Sequence, residues 1–305
     1  MTFDRREYEH RIARLRAAMT NAGVDVMVVD ESELLGWITG YMASETMYRA
    51  ALVPLYGEPW YVVRALDEVV CRGATWFADV IGHPDTDDPV EVIAATLSER
   101  GFGTSVIGAD FHSYCFTASL RDRFAALLPD ARWVNLDRLS GRIRAVKSSA
   151  EIEAIARAAI IADETMEQVR AWARPGATSR QAYAQAAAAF VLGGADNAKV
   201  GIVVRGQGDS EFLHGGISDT PLGAGDILHV ELVPTYAGYG ARLMRPVMIG
   251  KPNAARSNAA EQLVALQDRQ IEAMVAGADA RTVDAVLRDA VLAKGLREIY
   301  TNTSG

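Results

Sequence analysis

Apolar residues recur at helical spacing over residues 5–22, at Tyr8, Ile12, Leu15 and Met19, and Gly23 follows as a stop signal. Val24–Asp30 then reads as a buried strand. Further strand-like runs lie at Ala50–Tyr56, Pro59–Arg64, Ser105–Asp110 and Arg132–Leu136, with helical patterns around Pro89–Arg100 and Thr117–Leu128. Strands alternating with helices predict an α/β domain with a mixed or parallel sheet. The pattern changes near Arg142–Ser149. Ser148-Ser149-Ala150-Glu151 reads as a capping box, in which hydroxyl and carboxylate satisfy the first N–H groups of a new helix. Ile152, Ile155, Ala159, Ala162, Met166 and Val169 line one face of that helix. Arg174-Pro175-Gly176 ends it, and Thr178-Ser179-Arg180-Gln181 opens a second. Strand candidates follow at Ala198–Arg205, Ile227–Val233 and Arg242–Ile249, then helices at 257–276 and 280–294. These breaks divide the chain into residues 1–143 and 144–305.

The 305 residues carry 39 Asp+Glu against 31 Lys+Arg, a formal charge of −8. That balance argues against nucleic-acid and anionic-membrane binding, which need a basic surface. The first ten residues lack an apolar run, and no apolar stretch is long enough to span a bilayer, so a cytoplasmic protein without membrane or nucleic-acid partners is expected. Cys71 and Cys115 stand outside any metal or redox spacing and read as reduced thiols.

Candidate chemistry concentrates between residues 205 and 246. His214 precedes Gly215-Gly216, where backbone can approach a ligand. His229 and Glu231 lie two apart on a strand and so share a face, which suits acid–base work, metal binding or an ordinary strand pair. Gly206-x-Gly208 and Gly223-x-Gly225 lack the strand–loop–helix setting of a phosphate loop.

Phe212-Leu213-His214, Leu222-x-x-Gly225-Asp226-Ile227-Leu228, Glu231, Gly238-Tyr239 and Arg245 together resemble the pita-bread family of Xaa-Pro peptidases and creatinases. Arg144-x-x-Lys147-Ser148-x-x-Glu151-Ile152 and Arg174-Pro175-Gly176-Ala177-Thr178 are similar to the opening helices of its catalytic domain, and Trp37-Ile38-Thr39-Gly40-Tyr41 to a motif of its N-terminal domain. The resemblance implies a creatinase/prolidase-type α/β domain at 1–143 and an α+β pita-bread domain at 144–305. Against the family pattern, the C-terminal end of that second domain is expected to be incomplete at Gly305.

Metal-dependent members hold two divalent cations through two Asp, a His and two Glu. Here Glu231 stands at the first Asp position and Arg242 at the second. A guanidinium cannot ligate a cation, so a site without metal or other cofactor is expected. Two cations such as Mn or Zn are the alternative, should further ligands follow residue 305. The resemblance then implies hydrolysis of a C–N bond in a small amidine, guanidino or peptide substrate, with a homodimer as the expected assembly. His214 matches the general acid/base, Glu231 would bind or attack the electrophilic carbon, and Arg242 would stabilise an oxyanion or simply pair with Glu231. Arg49, Tyr239 and His229 are candidate substrate-binding residues, and Arg245 is read as structural. The alternatives are an Xaa-Pro dipeptidase or aminopeptidase with an altered metal site, and a binding protein of this fold without catalysis.

Overall fold

The computed structural model describes residues 2–42, 47–206 and 215–299, and its chain divides into two compact units. The first comprises Met1–Ala158 together with Thr235–Gly240, the second Ala159–Pro234 and Ala241–Gly305.

In the first unit, helix α1 (Arg5–Ala22) starts where the Asp4 side chain accepts the Arg6 N–H and stops at Gly23, whose φ of 63° is the left-handed value that favours glycine. There follow β1 (Val26–Val29), α2 (Ser32–Thr39), β2 (Ala50–Pro54), β3 (Trp60–Arg64), α3 (Ala65–Ala74), β4 (Asp79–His83), α4 (Pro89–Glu99), β5 (Val106–Ala109), α5 (Ala118–Leu127), β6 (Arg132–Asn135) and α6 (Leu139–Ile143). The strands form one sheet in the order β4-β3-β2-β1-β5-β6, mixed as the alternation allowed. Pairs β3–β4, β1–β5 and β5–β6 are parallel; β1–β2 and β2–β3 are antiparallel. β1 is buried at every position, because both sheet faces are covered. Ile12, Leu15 and Met19 of α1 and Leu34, Leu35 and Ile38 of α2 cover one face with Met27 and Val29. Val90, Ile93 and Leu97 of α4 and Leu120 and Phe124 of α5 cover the other with Val26 and Val28.

Helix α7 (Ser149–Trp172) begins at the capping box: Ser148 N–H donates to Glu151 Oε2 (2.7 Å) and Glu151 N–H to Ser148 Oγ (3.2 Å). Its buried positions include Glu151, Ala154 and Ala158, whereas Ile152 is exposed. The apolar face therefore starts one position off the expected stripe.

In the second unit, the rest of α7 and α8 (Ser179–Leu192) pack on a three-stranded antiparallel sheet of β7 (Val203–Gly206), β8 (Ile227–Leu232) and β11 (Leu243–Met248), in the order β11-β8-β7. Ile161, Met166 and Val169, with Ala182, Ala186 and Phe190, meet Val203, Leu228, Val230, Leu232 and Val247 in one core. The Thr178–Gln181 capping box is complete. Between β8 and β11 in the chain lies the short hairpin of β9 (Thr235–Tyr236) and β10 (Tyr239–Gly240), which counts with the first unit. Helices α9 (Ala254–Glu272) and α10 (Ala280–Ala293) close the described chain.

Candidate functional site

Strand β8 sorts its residues by period two. Leu228, Val230 and Leu232 face the helices, so His229 and Glu231 occupy the opposite face. Cross-strand register places Met244 beside Glu231, Pro246 beside His229 and Val204 beside His229. Glu231 N–H also donates to the Ile202 carbonyl (2.8 Å). Gly201 passes so close that a Cβ there would stand 2.7 Å from the Glu231 carbonyl oxygen and 2.9 Å from its Cγ.

The Glu231 residue is only 7% exposed. Its Oε1 lies 2.7 Å from Arg242 Nε, and the Arg242 side chain is 61% exposed. The pair thus joins a buried carboxylate to a guanidinium that reaches the surface. Ala241 N–H donates to the Pro234 carbonyl (3.2 Å), which ties together the ends of the segment joining the two strands. His229 is buried on the same face. Burial pushes its pKa below the ordinary imidazole value; Glu231 opposes that shift and Arg242 adds to it. At neutral pH His229 is accordingly an uncharged imidazole.

His214 lies outside the described residues. The chain resumes at Gly215, where a Cβ would stand 3.2 Å from Val204 Cγ1 on the strand beside His229. The Gly223–Gly225 stretch is a turn into β8: Asp226 accepts the Gly223 N–H (2.7 Å) and pairs with Arg205 (2.7 Å), and Gly225 has φ +93°. Arg245 is exposed and donates to the carbonyl of its own neighbour Met244 (2.7 Å).

The other two candidates belong to the first unit. Arg49 is buried, and its Nη2 donates to Ser32 Oγ (2.6 Å) while its Nη1 contacts Cys115 Sγ (3.6 Å). Nearby, Asp30 accepts from Ser113 Oγ (2.7 Å) and Tyr48 OH (3.1 Å). Burial lifts the Asp30 carboxyl to about 6, against the pull of those two hydrogen bonds and of Arg49. Tyr239 donates its hydroxyl to Glu151 Oε1 (2.7 Å) and accepts from Arg11 Nη2 (3.3 Å). Trp37 Nε1 donates to the same Glu151 oxygen (2.8 Å). Sequence reasoning took Glu151 as half of a capping box and as part of a helix-opening motif, and not as a bonding partner of Trp37; that contact spans 114 positions and leaves no local signal. It likewise missed a cavity of about 470 Å³ beside the end of α7, lined by Trp172, Arg174, Gly176 and Gln181 among others.

Comparison with known proteins gives a consistent picture. Residues 153–305 match the model of metallopeptidase family M24, and residues 11–146 that of the creatinase/prolidase N-terminal domain. The chain is 30% identical to a probable dipeptidase PepE of Mycobacterium tuberculosis over 99% of its own length and 80% of that protein. It is 27% identical to the ectoine hydrolase of Halomonas elongata over 83% of this chain and 68% of that one. Among solved structures, a Xaa-Pro dipeptidase from Bacillus anthracis superposes with a TM-score of 0.83 at 20% identity, covering 97% of this chain and 80% of that one. The dipeptidase PepE from Mycobacterium ulcerans gives 0.75 at 28% identity, over 98% and 80%.

These matches overturn the expectation of a site without cofactor. The matched family is one of metallopeptidases, and prolidases of this kind are typically two-metal enzymes using Mn or Zn. The expectation rested on two altered positions, which bear only on the ligands those positions would supply. The described residues nevertheless do not form the two-cation donor set. Glu231 Oε1 is engaged by Arg242, and no group of three His, Cys, Asp or Glu among the described residues could hold a metal ion. Among those residues, no helix is long and apolar enough to cross a membrane.

Proposed function

The chain belongs to metallopeptidase family M24 and is a hydrolase of the creatinase and Xaa-Pro peptidase type; from that premise we propose that it cleaves a C–N bond in a small amino-acid-like substrate, a dipeptide foremost. The observation that carries this reading is the buried Glu231, paired with Arg242 on the sheet face that also holds the neutral His229. The likeness to PepE supports the dipeptide.

In this reading His214 takes a proton from the attacking water and returns it to the departing nitrogen. His229, buried on the same strand face as Glu231, would line the side of the site that meets the substrate. Glu231 commits Oε1 to Arg242 and presents Oε2 to a cationic amine or amidine. Arg242 keeps a fixed positive charge at the edge of that face, which favours negative charge on whatever binds there. Tyr239 and Arg49 remain candidate substrate-binding residues, each held by a polar network within the first unit, and a homodimer is part of the proposal. A second reading, hydrolysis of a cyclic amidine, draws on the ectoine hydrolase likeness and on the cation-binding capacity of Glu231.

The test is turnover by the purified chain of Xaa-Pro dipeptides, other dipeptides, cyclic amidines and guanidino acids, each with and without added Mn2+ or Zn2+. Dipeptide cleavage lost in His214→Ala and Glu231→Ala, with folding retained, is expected. Cleavage of the amidine alone would move the assignment to the second reading, and binding of these compounds without turnover would replace the hydrolase by a binding protein.

A further inference from the structure

We propose that Arg242 selects substrates carrying a free carboxylate, reading that group with its two terminal nitrogens. The inference rests on the hydrolase reading of this face and names the chemistry of what binds there.

A guanidinium offers five N–H donors in a planar fork that matches a carboxylate bidentately. Arg242 is ion-paired with Glu231, the closest atoms being Nε and Oε1 at 2.7 Å, and no second partner of the guanidinium is found among the described residues. The two ends of the side chain sit in opposite environments. Glu231 is 7% exposed and fixed from behind by its N–H bond to Ile202 and by the close pass of Gly201. The arginine side chain is 61% exposed. A buried carboxylate therefore holds the guanidinium from one side, while most of the arginine side chain remains turned to solvent. An ion pair formed only for stability gains little in so exposed a place. An arginine whose orientation is already set, however, loses less side-chain freedom on taking up a ligand.

Arg242 and Glu231 cancel each other in formal charge, so the pair as a whole does not repel an anion. A substrate carboxylate at the Nη edge would make the site a Glu–Arg–carboxylate chain. Glu231 acts in this as a positioning residue, whereas Arg242 touches the substrate. Dipeptides and guanidino acids both carry such a group, and their C-terminal amides do not.

The experiment uses glycyl-proline and glycyl-prolinamide, with calorimetric binding and steady-state kinetics for the wild type, Arg242→Gln and Arg242→Lys. Wild type should bind the free acid about 10- to 100-fold more tightly than the amide, the range set by hydrogen bonds to charged groups. Arg242→Gln should erase that preference by raising Kd and KM for the acid far more than for the amide, whatever loss the two substrates share through the unpaired Glu231. Arg242→Lys should restore part of it, since a point charge replaces a fork. Added salt should weaken the acid selectively. Equal binding of acid and amide by wild type, binding of neither, or a preference that survives Arg242→Gln would overturn the assignment. So would a fall in kcat shared by acid and amide at constant KM, which marks oxyanion stabilisation instead. Binding selectivity without hydrolysis would retain the carboxylate assignment and remove the hydrolase reading.

Discussion

Replacing Glu151 tests how tightly a single carboxylate organises the first unit. Its Oε1 accepts from Trp37 Nε1 (2.8 Å) and Tyr239 OH (2.7 Å), and its Oε2 from Ser148 N–H (2.7 Å). Removing all acceptors in Glu151→Ala leaves three donors, each costing about 1–3 kcal/mol where water cannot replace the lost bond. Because Ser148 is only half-buried, a total of about 3–5 kcal/mol is expected. Glu151→Gln keeps one carbonyl oxygen but turns an NH2 toward the Ser148 N–H, so about 1–3 kcal/mol is expected. Tyr239→Phe removes one donor and leaves the carboxylate two, for about 1 kcal/mol.

Urea unfolding followed by circular dichroism would read this order directly. The pH dependence is a second check. Burial raises the Glu151 carboxyl, but the Ser148, Tyr239 and Trp37 hydrogen bonds and the Arg11 charge outweigh it and hold the group below its ordinary value of 4.5. Its stabilisation is therefore complete above that value and is lost as pH falls through the lower folded value. The gap between wild type and Glu151→Gln should accordingly narrow in acid. An alanine variant within 1 kcal/mol of wild type at pH 7, or one less destabilised than Tyr239→Phe, would refute the account.

Asp30 should behave in the opposite sense. A folded carboxyl raised from 3.8 to about 6 contributes stability that is complete below 3.8 and lost as pH rises through 6. At 1.36 kcal/mol per unit, Asp30→Asn should gain about 2 kcal/mol on wild type between pH 4 and pH 7; a gap constant over that range would contradict the burial argument. Gly201→Ala would press a methyl against the Glu231 backbone. It should cost about 1–3 kcal/mol and reduce turnover, and a variant of wild-type stability and activity would show that the two segments separate freely.

How much the sequence reveals differs by element. The bounds of α1 follow from its period and from the Gly23 stop, and both persist in the structure, which adds Asp4 as the N-terminal cap. Helix α3 escaped notice because its apolar residues do not mark a core: Leu66, Val69 and Val70 are all exposed. α2 is only eight residues, with Leu34, Leu35, Trp37 and Ile38 close together, too short for a helical period to declare itself. Ile152 was assigned inward because it is apolar, yet the buried neighbour is Glu151, held there by partners that are distant in sequence. At the candidate site, the shared face of His229 and Glu231 follows from period two. The Arg242–Glu231 pair was one of two readings of the arginine, and the structure forms that pair. The expectation of a metal-free site went beyond what Glu231 and Arg242 carry, because residues that depart from a ligand pattern hold no information about donors supplied elsewhere.

The two faces of β8 also constrain how this protein can have diverged from its relatives. Leu228, Val230 and Leu232 alternate with His229 and Glu231, so one inserted or deleted residue within 227–232 would carry a histidine and a carboxylate into the helix-packed core and leucines onto the polar face. No repacking of neighbours compensates for such an exchange. Change in this strand is therefore confined to replacement at fixed length, and length variation falls to the turns on either side. Descent with altered chemistry, as at Glu231 and Arg242, has to proceed position by position.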